Sequence, residues 1–166
     1  YNREKIKLYT NSETSTFLLN RFDYLFKRNK NSQSYFEPPL ELINIDYYQN
    51  LMINDISVHT IKQHHGVIDT LGFIINNTFA YCTDVVSFPK KSLECLYNLN
   101  TIIITGLRST PHTAHAHFDL TFKWLADLKP HIAYLTHLSP ESDHDTVTKL
   151  CPSGVYPAYD GLVINI

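Results

Sequence analysis

A chain of 166 residues that is 43% hydrophobic and only 18% charged can bury one ordinary core. That excludes an intrinsically disordered segment and makes one domain, or a large part of one, the simplest organisation. A formal charge of −2 supplies no basic field for a phosphate backbone, so nucleic acid is not an expected partner.

The first element predicted is a strand at Lys5 to Tyr9, where polar and apolar residues alternate. It stands at the start of a sequence that opens on Tyr1 rather than Met, so the chain is expected to enter a longer protein midway. Thr10-Asn11-Ser12-Glu13 carries the Ser/Thr-x-x-Glu pattern of a capping box, predicting a helix whose Phe17, Leu18, Phe22, Leu25 and Phe26 recur at helical spacing. Lys27, Arg28 and Lys30 read as the solvated end of that helix, and Asn29 to Ser34 with Pro38-Pro39 as an irregular connection. Strands follow at Leu40 to Ile45, Ile56 to Ile61, Leu71 to Ile75 and Phe79 to Cys82, with a turn at Asn76-Asn77. A helix is expected from Lys90 to Tyr97.

The second half repeats the rhythm more plainly. Thr101 to Leu107 is a continuous apolar strand, and Leu120, Trp124 and Leu128 mark a helix face that Lys129-Pro130 ends. Ile132 to Leu135 is then a strand, Asp143 to Leu150 a short helix, and Val155 to Ile166 strand-like with a break at Asp160-Gly161. No apolar run is long enough to cross a bilayer. Cys82, Cys95 and Cys151 are scattered without Cys-x-x-Cys spacing or a secretory leader, which favours a reducing, cytoplasmic setting.

Chemistry concentrates between His65 and His137. Gln63-His64-His65-Gly66, Tyr81-Cys82-Thr83-Asp84, Pro111 to His117 and Leu135-Thr136-His137 each follow or end a strand-like segment. Imidazole nitrogen with carboxylate oxygen is the donor set suited to zinc, manganese or iron.

Together with Leu71-Gly72-Phe73 and the terminal Pro157-Ala158-Tyr159-Asp160-Gly161-Leu162, these motifs resemble the metallo-β-lactamase superfamily. Within it they look most like the PhnP-like branch of cyclic-phosphate phosphodiesterases. The resemblance implies an α/β fold, part of an αββα sandwich, with residues 1–166 as the C-terminal portion of a single domain. It implies a dinuclear centre holding two divalent ions, zinc or manganese, and a bridging hydroxide that attacks a phosphodiester. By matching position His65 is a ligand of one metal, Asp84 the carboxylate bridging both, and His137 the histidine of the other. His115, with His117 close behind, is placed as the catalytic group on the substrate side. Four further ligands belong to an upstream His-x-His-x-Asp-His loop that these residues do not contain, so the chain alone is expected to be inactive and to hold few or no ions. Missing strands are expected to leave sheet edges open to self-association or homo-oligomer formation. The expected substrate is a small phosphodiester.

One decoy competes: His115-Ala116-His117-Phe118-Asp119 reads His-x-His-x-Asp. It falls after the His65 and Asp84 elements rather than before them, and Asp119 suits a helix N-terminus as a cap. Of the adjacent pair, His65 is preferred over His64 because neighbouring strand residues point to opposite faces. His59, His131 and His144 read as surface or edge histidines, His112 as a supporting or substrate-side group, and Asp160 as a turn residue that in the family also supports a metal-bound histidine. Pro140 stands where relatives continue with another histidine. Two other readings remain open, a tRNA 3′-end endonuclease and a non-catalytic scaffold with a degenerate site.

Overall fold

The computed structural model describes residues 4–28 and 37–165. The connection expected at Asn29 to Ser34 lies outside the described residues. The chain divides between Tyr47 and Tyr48 into two compact units.

The first unit is a β-α-β arrangement. β1 (Ile6–Thr10) and β2 (Leu40–Asn44) are parallel, with Ile6 opposite Leu40 and Thr10 opposite Asn44. Between them α1 (Ser12–Phe22) continues into a single 3-10 turn (Asp23–Leu25). The helix is capped one residue later than its sequence predicts. Thr10 is still committed to the strand ladder, so Asn11 takes the cap and its side-chain oxygen accepts the Thr14 N–H at 2.8 Å. The expected apolar stripe is not continuous, because Leu25 and Phe26 lie beyond α1, and Phe17 and Phe22 are exposed. Ser15 is the buried residue of α1 and donates to the Asn44 side chain.

The second unit is built on a seven-stranded sheet. β3 (Asn50–Ile53), β4 (Ile56–His65), β5 (Ile68–Ile75) and β6 (Phe79–Cys82) form an antiparallel meander. β7 (Thr101–Thr105), β8 (Ile132–Thr136) and β9 (Val155–Pro157) then extend it in parallel, in chain order. All three parallel links carry a helix, α2 (Lys90–Glu94) between β6 and β7, α3 (Phe118–Leu128) between β7 and β8, and α4 (His144–Leu150) between β8 and β9. Period-two alternation sends Ile61, Ile74, Ala80, Cys82, Ile102, Ile104, Ala133 and Leu135 to one face, where they pack with Leu96, Leu125, Leu128 and Val147 from the helical side. α3 stops where expected. Lys129 turns left-handed at φ 52° and its N–H returns to the Leu125 carbonyl, with Pro130 barring further helix. Asp143 caps α4 by accepting from Thr146.

Several boundaries differ from the sequence expectation. β3 was not foreseen, β4 runs on from Ile61 to His65, and α2 ends at Glu94 rather than Tyr97. After Pro157 the chain carries no further regular strand among the described residues. Because β4 and β6 are both antiparallel to β5, the strands β4, β6, β7 and β8 all run the same way. Their C-terminal ends therefore share one edge of the sheet. Among the described residues, no helix is long and apolar enough to cross a membrane.

Candidate metal centre

At that shared edge the polar residues singled out in the sequence come together. His65 is the last residue of β4, Asp84 lies two residues past β6, His115 sits in the segment after β7, and His137 directly follows β8. One ligand atom each from His65, Asp84 and His115 falls within 4.8 Å of the others. The Asp84 carboxylate is 3.9 Å from His137 Nε2 and also 3.9 Å from His115 Nδ1. The imidazoles pack on one another: His115 stacks on His137 with ring centroids 4.4 Å apart and meets His65 edge-on at 4.5 Å. Asp84 and His137 both adopt left-handed backbone, at φ 54° and 63°. Non-glycine residues in that region are uncommon and concentrate at functional sites. Each turns the chain sharply at a strand end and keeps its side chain over the edge of the sheet.

Hydrogen bonds set which nitrogens are free. His65 Nδ1 lies 2.9 Å from the Ala114 carbonyl, so Nδ1 carries the proton and Nε2 keeps its lone pair for a metal. His112 Nδ1 accepts from the backbone N–H groups of Ala114 and His115 at 3.2 and 3.3 Å, folding the 112–115 loop around itself. That loop lies against the β4–β5 turn, where a Cβ on Gly66 (φ +62°) would come within 3.2 Å of the Ala114 Cβ. His115 Nδ1 is buried with no hydrogen-bond partner. Burial, then the neighbouring His137 and His65, hold the His115 imidazole below its ordinary value, only partly opposed by Asp84. A buried, neutral and unpartnered ring nitrogen beside a second imidazole and a carboxylate fits a divalent cation of the zinc or manganese type.

The rival histidines are engaged elsewhere. His64 faces the other side of the sheet from His65 and bonds Asp69 through Nδ1 at 2.6 Å, a carboxylate that Lys62 also grips at 2.6 Å. His59 pairs with Asn50, His131 is exposed, and His144 opens α4. His117 occupies the N-cap position of α3, with no side-chain capping bond, and lies outside the three-residue ligand group. Asp119 is therefore not the cap its sequence position implied; it is an exposed acid in the first turn. Neither Asp119 nor His117 is in the three-residue ligand group; nor is His137, which joins it through Asp84 and its stack on His115. Asp160 is exposed in the turn before Gly161. Gln63, quoted only as the neighbour of His64-His65, and Thr70, quoted in no motif, bond the Thr83-Asp84 turn. The one signal for Gln63 in the sequence is the alternation that puts it on the face of His65. A groove of about 510 Å³ opens beside His65, lined by Gly66, Val67, Ile68, Thr113 and Ala114.

Fold and site define an α/β protein with a histidine and carboxylate cluster at the C-terminal edge of its sheet. Residues 2–138 match the family described as the Beta-lactamase superfamily domain, and the chain belongs to that family, within a superfamily of metal-dependent hydrolases. A diphosphatase from the PhnP family has the same fold at a TM-score of 0.84 and 26% identity, over 96% of this chain and 57% of that one. YhfI of Bacillus subtilis, a metallo-β-lactamase fold protein, superposes at 0.74 with 16% identity, over 96% of this chain and 64% of that one. Among curated proteins, the octanoyltransferase of Porphyromonas gingivalis is 24% identical over 160 residues, 95% of this chain. The chain spans 32% of that protein and less than two thirds of both solved structures.

Proposed function

We propose that the protein carrying this chain is a metal-dependent hydrolase of phosphodiesters, small or cyclic ones, whose ions are held in part by His65, Asp84 and His137. The observation that carries the reading is the convergence of these three side chains with His115 at one sheet edge. The likeness to the PhnP-family diphosphatase supports phosphorus as the centre attacked. What a bound pair of zinc or manganese ions supplies is activation of water near neutral pH and neutralisation of charge on the phosphoryl oxygens.

The residues of this chain then divide the work. His65, its Nδ1–H donated to Ala114, offers Nε2. Asp84 has two carboxylate oxygens and can serve both ions. His137, whose Nε2 lies 3.9 Å from the Asp84 carboxylate, would add the histidine of the other ion. His115 is placed on the substrate side, where an imidazole can orient a phosphoryl oxygen or assist the leaving group. His117, at the start of α3, is placed on the substrate side. The remaining ligands are assigned to an upstream His-x-His-x-Asp-His loop, in keeping with the 57% of the diphosphatase that this chain spans. Taken alone, the chain is proposed to bind metal weakly and to be inactive.

The test is hydrolysis of bis(p-nitrophenyl) phosphate by the full-length protein with manganese or zinc. Metal-dependent release of nitrophenolate that Asp84→Asn abolishes supports the proposal. No turnover under any metal overturns it.

A further inference from the structure

Beside the metal centre lies a polar pair to which no ligand or catalytic role was assigned. Gln63 is fully buried, and Thr70 is its cross-strand partner in the β4–β5 ladder, on the same sheet face. Gln63 Nε2 donates to the Thr83 carbonyl at 2.7 Å and to Thr70 Oγ1 at 3.2 Å. The Thr70 hydroxyl passes the chain on by donating to the Asp84 carbonyl at 2.8 Å. Two consecutive carbonyls of the turn are thus tied to two neighbouring side chains of a rigid ladder. That turn is the one in which Asp84 holds its left-handed φ of 54°.

The environment of Gln63 argues that the amide is there for position rather than for packing. Its Oε1 is buried with no hydrogen-bond partner, a penalty that an apolar side chain of similar size would avoid. Flipping the amide to relieve that oxygen would set Oε1 against the Thr83 carbonyl, so the donors are locked in their direction. Room for the side chain comes from Gly72: a Cβ there would lie 2.6 Å from Gln63 Oε1 and 2.9 Å from Ile61 Cγ1. Gln63 also stands two residues before His65 on the same face of β4. One side chain therefore couples the strand that delivers His65 to the turn that delivers Asp84.

We propose that Gln63 and Thr70 are positioning residues, a buried relay that fixes the Asp84 carboxylate relative to His65 for metal binding. The proposal rests on the metal-centre reading above and not on the identity of the substrate. Neither residue touches the ion itself. Losing such a supporting contact typically weakens metal affinity by about 10–100-fold.

The experiment is a cobalt titration of the full-length protein, read by visible absorption and by competition with a chromogenic chelator, with no substrate present. Thr70→Val is expected to weaken cobalt binding at the site by about tenfold or more and to shift its absorption band, while Thr70→Ser stays within about threefold of the parent. Gln63→Met should behave as Thr70→Val does, and it carries the test if Thr70→Val does not fold. Thr121→Val removes another buried hydroxyl bond, from α3 to the Thr105 carbonyl, and should leave cobalt affinity unchanged. Parent-like affinity and spectrum in folded Thr70→Val and Gln63→Met overturn the proposal. So does an equal loss in Thr121→Val, which would mark a general structural effect. A protein that binds cobalt as expected yet hydrolyses no phosphodiester would overturn the proposed function and leave the relay standing.

Discussion

His64 and His65 are neighbours in the chain and opposite in use. One is tied to Asp69 on the far face of the sheet, the other stands over the edge with a free Nε2. Replacing His65 with alanine is expected to lower zinc affinity by more than the roughly 10–100-fold typical of losing a supporting contact, and His64→Ala to leave it unchanged. Isothermal titration with zinc checks both. That choice was legible in the sequence, because alternation lets only one of two adjacent strand residues face the site. The placement of Asp84 and His137, each just past an apolar run, was legible too. The left-handed backbone at both, and the packing of His115 into the ligand group, were not legible, since they depend on where three loops meet.

His115 also gives a pH prediction. Its folded-state value lies below the 6.5 of a free imidazole, so as pH falls the unfolded chain takes up the proton first. The stability that neutral His115 contributes is whole above 6.5 and is lost as pH drops from 6.5 toward the folded value. Thermal midpoints of the metal-free protein should fall over that window, and His115→Gln should flatten the slope.

Among elements, the β4–β5 turn governs how closely the 112–115 loop approaches. Gly66→Ala would place a side chain in left-handed backbone and press on Ala114, at an expected loss of about 1–2 kcal/mol in denaturant unfolding. Weaker metal binding should accompany it, because the His65 bond to Ala114 crosses the same gap. Leu135, fully buried on β8 two residues before His137, holds the sheet against its helices. Leu135→Ala should destabilise by about 2–5 kcal/mol. The apolar strands were readable for this reason, and β6 (Phe79–Cys82) was found with its bounds intact. β3 was not, being four residues of an edge strand whose ladder to β4 is a tertiary fact. The polar tail of β4, Lys62 to His65, lay beyond the strand bound expected at Ile61, because its side chains pair with Asp69, Thr83 and Ala114 instead of continuing the apolar run.

At the scale of the whole molecule, the sheet face turned away from the helices carries an aromatic row. Tyr81, Ile103, Tyr134 and Tyr156 are aligned in register across β6 to β9, and Tyr81 and Tyr156 remain exposed. With β3 at the end of the strand order among the described residues, this surface is expected to favour self-association of the isolated chain. Sedimentation should show mass rising with concentration above the 19.2 kDa monomer, and a monomer at all concentrations would contradict that.

The central claim is that His65, Asp84 and His137 converge on shared ions. Anomalous difference maps from crystals of the full-length protein grown with zinc test it directly. The expected result is density about 2.0–2.2 Å from His65 Nε2, an Asp84 oxygen and a His137 nitrogen. Zinc bound elsewhere, with those three side chains uncoordinated in a fully loaded crystal, would contradict it.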